Sequence, residues 1–150
     1  MPRCRNVASW RDGASAETQA DLDGLLNSVL PFAQQQLGTH GAFFPFGAVV
    51  TDDGTVRLTS AYDGAGTPWT QELLDQLYEG TRSQRSSIRA VAFVADVRIP
   101  GNPEDAIRVE LEHRGGIAIA VLLPYRKRQQ SPGIDYEALR GATAVNRIWT

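Results

Sequence analysis

From Ser15 onward the apolar residues follow two periods, 3.6 and 2, and each change of period marks an element boundary. Leu22, Leu25, Leu26, Val29, Leu30, Ala33 and Leu37 recur at spacings of three and four, which puts them on one face of a helix. Ser15 stands just ahead of this run, where a side-chain oxygen accepts an amide of the first turn that has no helical partner. Pro31 lies inside the run and removes a backbone donor, so a kink is expected there, and Gly38 is expected to stop the helix. A second stripe, Trp69, Leu73, Leu74, Leu77 and Tyr78, follows Thr67 as cap and Pro68 as first helical residue, and Gly80 or "TRSQRSS" ends it.

Between the helices, "AFFPFGAVVTDDGTVRLTSAY" holds two β-rich runs around Asp52-Asp53-Gly54. A three-residue loop pairs Val50 with Val56, Ala48 with Leu58, Phe46 with Ser60 and Phe44 with Tyr62, which brings the large apolar groups to one face. A two-residue loop would mix the faces, because a slip of one residue turns every side chain over. Gly54 then takes the left-handed position of the turn. The same reasoning applies to "AIRVELEHRGGIAIAVLLPY": an Arg114-Gly115-Gly116 loop pairs His113 with Ile117, Leu111 with Ile119, Val109 with Val121 and Ile107 with Leu123. Upstream, "IRAVAFVADVRIP" is apolar at nearly every position, as in a strand covered on both faces, and "PGNP" reads as a loop.

These elements predict an α+β fold in the order α-β-β-α-β-β-β-α, with the helices packed on a single five-stranded antiparallel sheet. The strands span 43–51, 55–62, 88–98, 106–113 and 117–125, and the last helix spans 135–140. Residues 1–14 form a loose arm, although Trp10 is expected to dock, and residues 15–150 form one domain. Ile148 and Trp149 are expected to pack on the body or on a second subunit.

Length and charge narrow the function classes. A domain of 150 residues buries roughly 70% of its unfolded surface without help from a metal or disulfide. A net charge of −2 and a pI near 5.6 give no electrostatic footprint for nucleic acid or an anionic membrane. The lone cysteine, Cys4, excludes an internal disulfide and fits a reducing compartment. No stretch reaches 18 apolar residues, so a cytoplasmic protein is expected, with no nucleic-acid partner, no membrane and no cofactor. Lys127 is the single lysine beside 14 arginines, a bias that points to a GC-rich coding genome.

The candidate chemistry is sparse. Glu110 and Glu112 fall two apart on a strand, about 7 Å along one face, where an acid/base pair would raise one pKa. With Arg108 and Arg98 as neighbours, a solvated charge ladder is the favoured reading. Asp96 interrupts an apolar strand and needs a partner or a shifted pKa; an ion pair or a strand end accounts for it, and a ligand role is the alternative. His113 beside its turn reads as a partly exposed rim residue. No Gly-x-Ser-x-Gly elbow, phosphate loop, His-Glu-x-x-His or zinc-spaced cysteine pair is present, so no catalytic or metal residue is assigned. Phe43, Phe44, Phe46, Tyr62, Asp63 and Trp69 would either form core or wall a pocket between the strand at 40–46 and the loop at 62–69. The candidate ligand-binding residues are His40, Phe44, Tyr62, Asp63, Trp69 and Asp96.

The element order resembles that of roadblock and profilin-like domains, which implies one antiparallel sheet with helices on one or both faces. The run "DAIRVELEHRGG" followed by "LLPYRKR" is similar to small bacterial proteins of unknown function and carries no activity over. Two readings follow. The first is a non-catalytic protein-interaction or accessory module, of an immunity-like kind, working as a homodimer or with a protein partner. The second is a small-molecule-binding protein or enzyme that uses the pocket.

Overall fold

In the computed structural model, which describes residues 13–61, 69–98 and 105–150, Ser15 caps helix α1 (Ala16–His40), its Oγ accepting from the Thr18 amide at 3.1 Å. The helix continues through Pro31, which lies on the exposed side, and past Gly38. Glycine in a helix costs about 1 kcal/mol relative to alanine but does not break it. The stop is set by Gly41, which adopts φ 76° and donates its amide to the Leu37 carbonyl at 2.8 Å. Leu22, Leu25, Val29, Ala33 and Leu37 are buried, as the helical spacing predicts.

The sheet has seven strands, not five, all pairings antiparallel. They are β1 (Phe46–Thr51), β2 (Val56–Ser60), β3 (Ile88–Arg98), β4 (Asp105–His113), β5 (Ala118–Lys127), β6 (Ile134–Tyr136) and β7 (Arg140–Ala142). Their order is β2-β1-β3-β4-β5-β6, with β7 also pairing β5. The expected helix at 135–140 is therefore replaced by two three-residue strands. A helix of that length gains little over its nucleation cost, whereas the outer edge of β5 offers peptide groups that need partners. β2 and β3 flank β1 and run in the same direction, so α2 (Thr70–Arg82) is the crossover between them.

Both hairpin registers match the odd-loop expectation. Val50 opposes Val56, Ala48 opposes Leu58 and Phe46 opposes Ser60; Leu111 opposes Ile119, Val109 opposes Val121 and Ile107 opposes Leu123. Gly54 and Gly116 take φ of 87° and 108°. In the first turn Asp53 accepts hydrogen bonds from the Thr51 hydroxyl and the Thr55 amide, and these hold its carboxyl down at about 2. The pairing of Phe44 with Tyr62 lies partly outside the described residues, as do Thr67, Pro68, the 99–104 connection and all but the last two residues of the expected arm.

β3 is covered on both faces. Ala90, Ala92 and Val94 meet α1 together with Phe46, Ala48, Val50, Ile107, Val109, Leu111, Val121 and Leu123. Val91 and Phe93 meet Leu77 and Tyr78 of α2 and Ile148 of the tail. Trp69 does not join the α2 stripe: it occupies the cap position, where the backbone is still extended, and is 82% exposed. Gly47 is required by close packing, since a Cβ there would stand 2.8 Å from the Ala92 carbonyl oxygen. No helix among the described residues is long and apolar enough to cross a membrane.

The turn geometry makes a stability prediction. Gly54→Ala and Gly116→Ala should each lower the unfolding free energy by about 1 kcal/mol or more, the cost of a left-handed backbone for an L-residue. Gly24→Ala, in α1 with open space at its Cβ position, should raise it by about 0.5–1 kcal/mol. Urea denaturation of the three variants checks this, and a gain at Gly116 would show that the turn has another conformation.

Candidate functional site

The helix stop at Gly41 shapes a cavity. Phe32, Gln36 and His40 recur every four residues along one side of the last turns of α1. Beyond the left-handed Gly41, the segment Ala42–Pro45 crosses to β1, carrying Phe43 and Phe44. Lys127 on β5 fixes this corner by donating its ammonium to the Gly41 carbonyl. Together with Phe46 of β1 and Leu58, Thr59 and Ser60 of β2, these residues line a half-open cleft of about 510 Å³.

Its walls are aromatic. The Phe46 ring meets Phe32 edge-on at 5.1 Å and Phe43 at 5.7 Å, a packing mode favoured by the ring quadrupoles. Phe32, Phe43, Phe44 and Phe46 are four of the chain's five phenylalanines, and only Phe46 is fully committed to the core. Polar atoms come from Gln36, His40 and Ser60. Among the described residues no hydrogen bond or ion pair ties the His40 imidazole to another side chain, so no described group orients it as a base.

Of the six candidate ligand residues, the structure brings His40 and Phe44 together in this cleft. Trp69 is not among its lining residues, and Tyr62 and Asp63 lie outside the described residues. Asp96 sits apart, accepting from the Tyr125 hydroxyl at 2.6 Å. Burial pushes the Asp96 carboxyl up from its ordinary range, against the lowering effect of that hydrogen bond, and burial likewise pushes up Tyr125. Asp96 lies where burial falls off towards the end of β3, and its hydrogen-bond partner is a tyrosine and not the ion-pair partner of the other reading. Sequence reasoning misses Phe32 and Gln36, whose relation to the Phe43–Phe46 cluster depends on where α1 ends.

The opposite sheet face overturns the solvated charge ladder. α2 and the tail cover Glu110 and Glu112, and Glu112 is 4% exposed. Its carboxylate accepts the backbone amides of Arg147 (2.9 Å), Ile148 (3.1 and 3.2 Å) and Trp149 (3.0 Å). Glu110 accepts from Arg108, from Arg147 at 3.2 Å and from the Tyr78 hydroxyl at 3.2 Å. Arg147 also lies over the Tyr78 ring, 4.5 Å from its centre. Burial, reinforced by the nearby Glu110 charge, pushes the Tyr78 hydroxyl up to about 12. Glu110 is thus held by side-chain donors and Glu112 by backbone amides, with Arg147 contributing to both.

His113 is likewise no rim residue. It is 5% exposed, with Nε2 3.0 Å from an Asp21 carboxylate oxygen whose companion accepts from Arg89 at 2.7 Å. The Gly115 amide donates to Nδ1 at 3.0 Å. Nδ1 therefore carries the lone pair and Nε2 the proton that is given to Asp21. With both ring nitrogens engaged, this buried His–Asp contact locks α1 to the β4–β5 turn and leaves no free base.

Among the described residues no group of three or more His, Cys, Asp or Glu side chains is placed to hold a metal ion. Compared with family models, curated proteins and solved structures, the chain gives no match.

Two stability predictions follow. Glu112→Gln leaves an amide that cannot accept at both positions, and should cost about 2 kcal/mol or more, in the range of hydrogen bonds to charged groups; Glu110→Gln, whose two arginine partners reach solvent, should cost less. Chemical denaturation of both variants checks the ranking. For Asp96, a raised folded-state pKa means that ionisation opposes folding. Asp96→Asn should therefore melt at a higher temperature than the native chain at neutral pH, with the difference shrinking as pH falls through the raised folded-state pKa and gone below the ordinary aspartate value of 3.8. Melting curves across that range read it directly.

Proposed function

We propose that this chain is a non-catalytic binding protein that takes an apolar group of a small molecule into the cleft between α1 and the β1–β2 hairpin. The observation that carries the reading is the concentration of phenylalanines around a cavity of about 510 Å³, which falls within the usual size range of ligand pockets, roughly 300–1,000 Å³. An apolar wall with a few polar groups is the composition such pockets share. Gln36, His40 and Ser60 would orient a ligand that has an apolar or aromatic body and one or two polar groups.

The reading as a protein-interaction module draws on a different observation. Val56, Leu58 and Trp69 expose 39%, 49% and 82% of their surface, and exposed large apolar groups that lie close together are a mark of association. Val56 and Leu58 do so on one strand.

Titration with an apolar fluorescent naphthylamine tests the cleft. Saturable binding is expected, and Ala42→Trp, which places an indole at an exposed position on the cleft wall, should weaken it by about tenfold or more, equivalent to about 1.4 kcal/mol, at unchanged melting temperature. Binding that does not saturate, or that Ala42→Trp leaves intact, would remove the proposal.

A further inference from the structure

We propose that β2 docks a second copy of this chain, pairing antiparallel with its own counterpart about a two-fold axis at Leu58. Among the described residues β2 ends the strand order and pairs only with β1. The Thr51 amide donates to the Thr55 carbonyl at 2.9 Å. Because antiparallel bonding alternates, the peptide groups of Arg57 and Thr59 turn to β1, and those of Val56 and Leu58 turn outward. Outward peptide groups on an edge strand are a template for another strand.

Proteins guard such edges with lysine, proline, bulges or inward charges. The residues Val56–Ser60 contain no lysine or proline, and their apolar face carries Val56 and Leu58, 39% and 49% exposed. The one charge, Arg57, is on the other face and reaches Gln84 at 3.2 Å. The far edge of the sheet is treated differently: β6 and β7 pair along the outer side of β5.

This asymmetry selects the occupant. Head-to-tail growth would need a matching second edge, and the far side of the sheet ends in β6 and β7, each only three residues long. The open strand that a second copy brings is its own β2, which gives an isologous pair that closes on itself. With Leu58 opposite Leu58 of the second copy, Val56 meets Ser60 and Arg57 meets Thr59, so no like charges stand directly opposed. Leu58 and Ser60 are also cleft wall, so the second copy's strand would extend that wall. The inference does not depend on a ligand, because its test reads strand pairing and not occupancy.

The test combines sedimentation velocity of the full chain over a range of concentrations with amide hydrogen exchange. A dimer is expected, in which the Val56 and Leu58 amides become protected as concentration rises, while Arg57 and Thr59 are protected throughout. Leu58→Lys should be monomeric where the native chain is dimeric, with protection at Arg57 and Thr59 retained; Val56→Lys provides the same test should Leu58→Lys misfold. A native chain that stays monomeric at every concentration overturns the proposal. So does a dimer whose Val56 and Leu58 amides exchange as fast as in the monomer, or one that survives the lysine variants.

Discussion

Glu112 carries a carboxylate into the covered face of a central strand, and a charge in that position needs donors that no neighbouring strand residue supplies. Three successive tail amides provide them. Ile148, fully buried, follows those amides into the second apolar cluster, and Arg82 and Arg85 of the α2 region donate to the Arg147 and Ile148 carbonyls at 2.8 and 3.1 Å. The tail thus joins α2 in covering this face of the sheet. On the reverse side the adjacent residue, His113, ties α1 down through Asp21. Neighbouring positions on one strand therefore anchor the two layers that enclose the sheet.

That arrangement separates what the amino-acid pattern reveals from what it conceals. Period-2 runs with an odd loop and a correctly placed glycine give both hairpin registers, because the wrong register would expose apolar groups at once. The continuous apolar run of β3 announces cover on both faces. What the pattern does not carry is the identity of that cover. Glu110 and Glu112 alternate with apolar residues in the manner of a solvent face, and only the tail, 35 to 37 residues further on, makes Glu112 an interior group. His113 is concealed in the same way, with its partner 92 residues away. β6 and β7 are too short to show any period at all.

The cleft was legible in part. Phe43, Phe44 and Phe46 cluster in sequence, so an aromatic site near His40 can be read directly. Its other wall cannot, because Phe32 and Gln36 reach it only when α1 runs on to His40, and Gly38 is as plausible a stop as Gly41 from sequence alone. The difference lies in backbone angle: Gly41 is the residue that turns left-handed. The loss of the Trp69 expectation has a similar origin, since a shift of the helix start moves a residue from the buried stripe to the cap.

The tail clamp also constrains the order in which the molecule can assemble. Glu112 and its donors lie 35 to 37 residues apart, and Asp21 and His113 lie 92 apart, so the contacts that enclose the sheet are non-local. Closing such loops is slow relative to forming a hairpin or a helical turn. During synthesis β3, β4 and β5 can pair and α1 can settle on its face, while the other face lacks the tail until Trp149 has been made. In that interval the apolar side chains of Val91 and Phe93 would lie under α2 alone, making the half-covered sheet the form of this protein most exposed to mispairing.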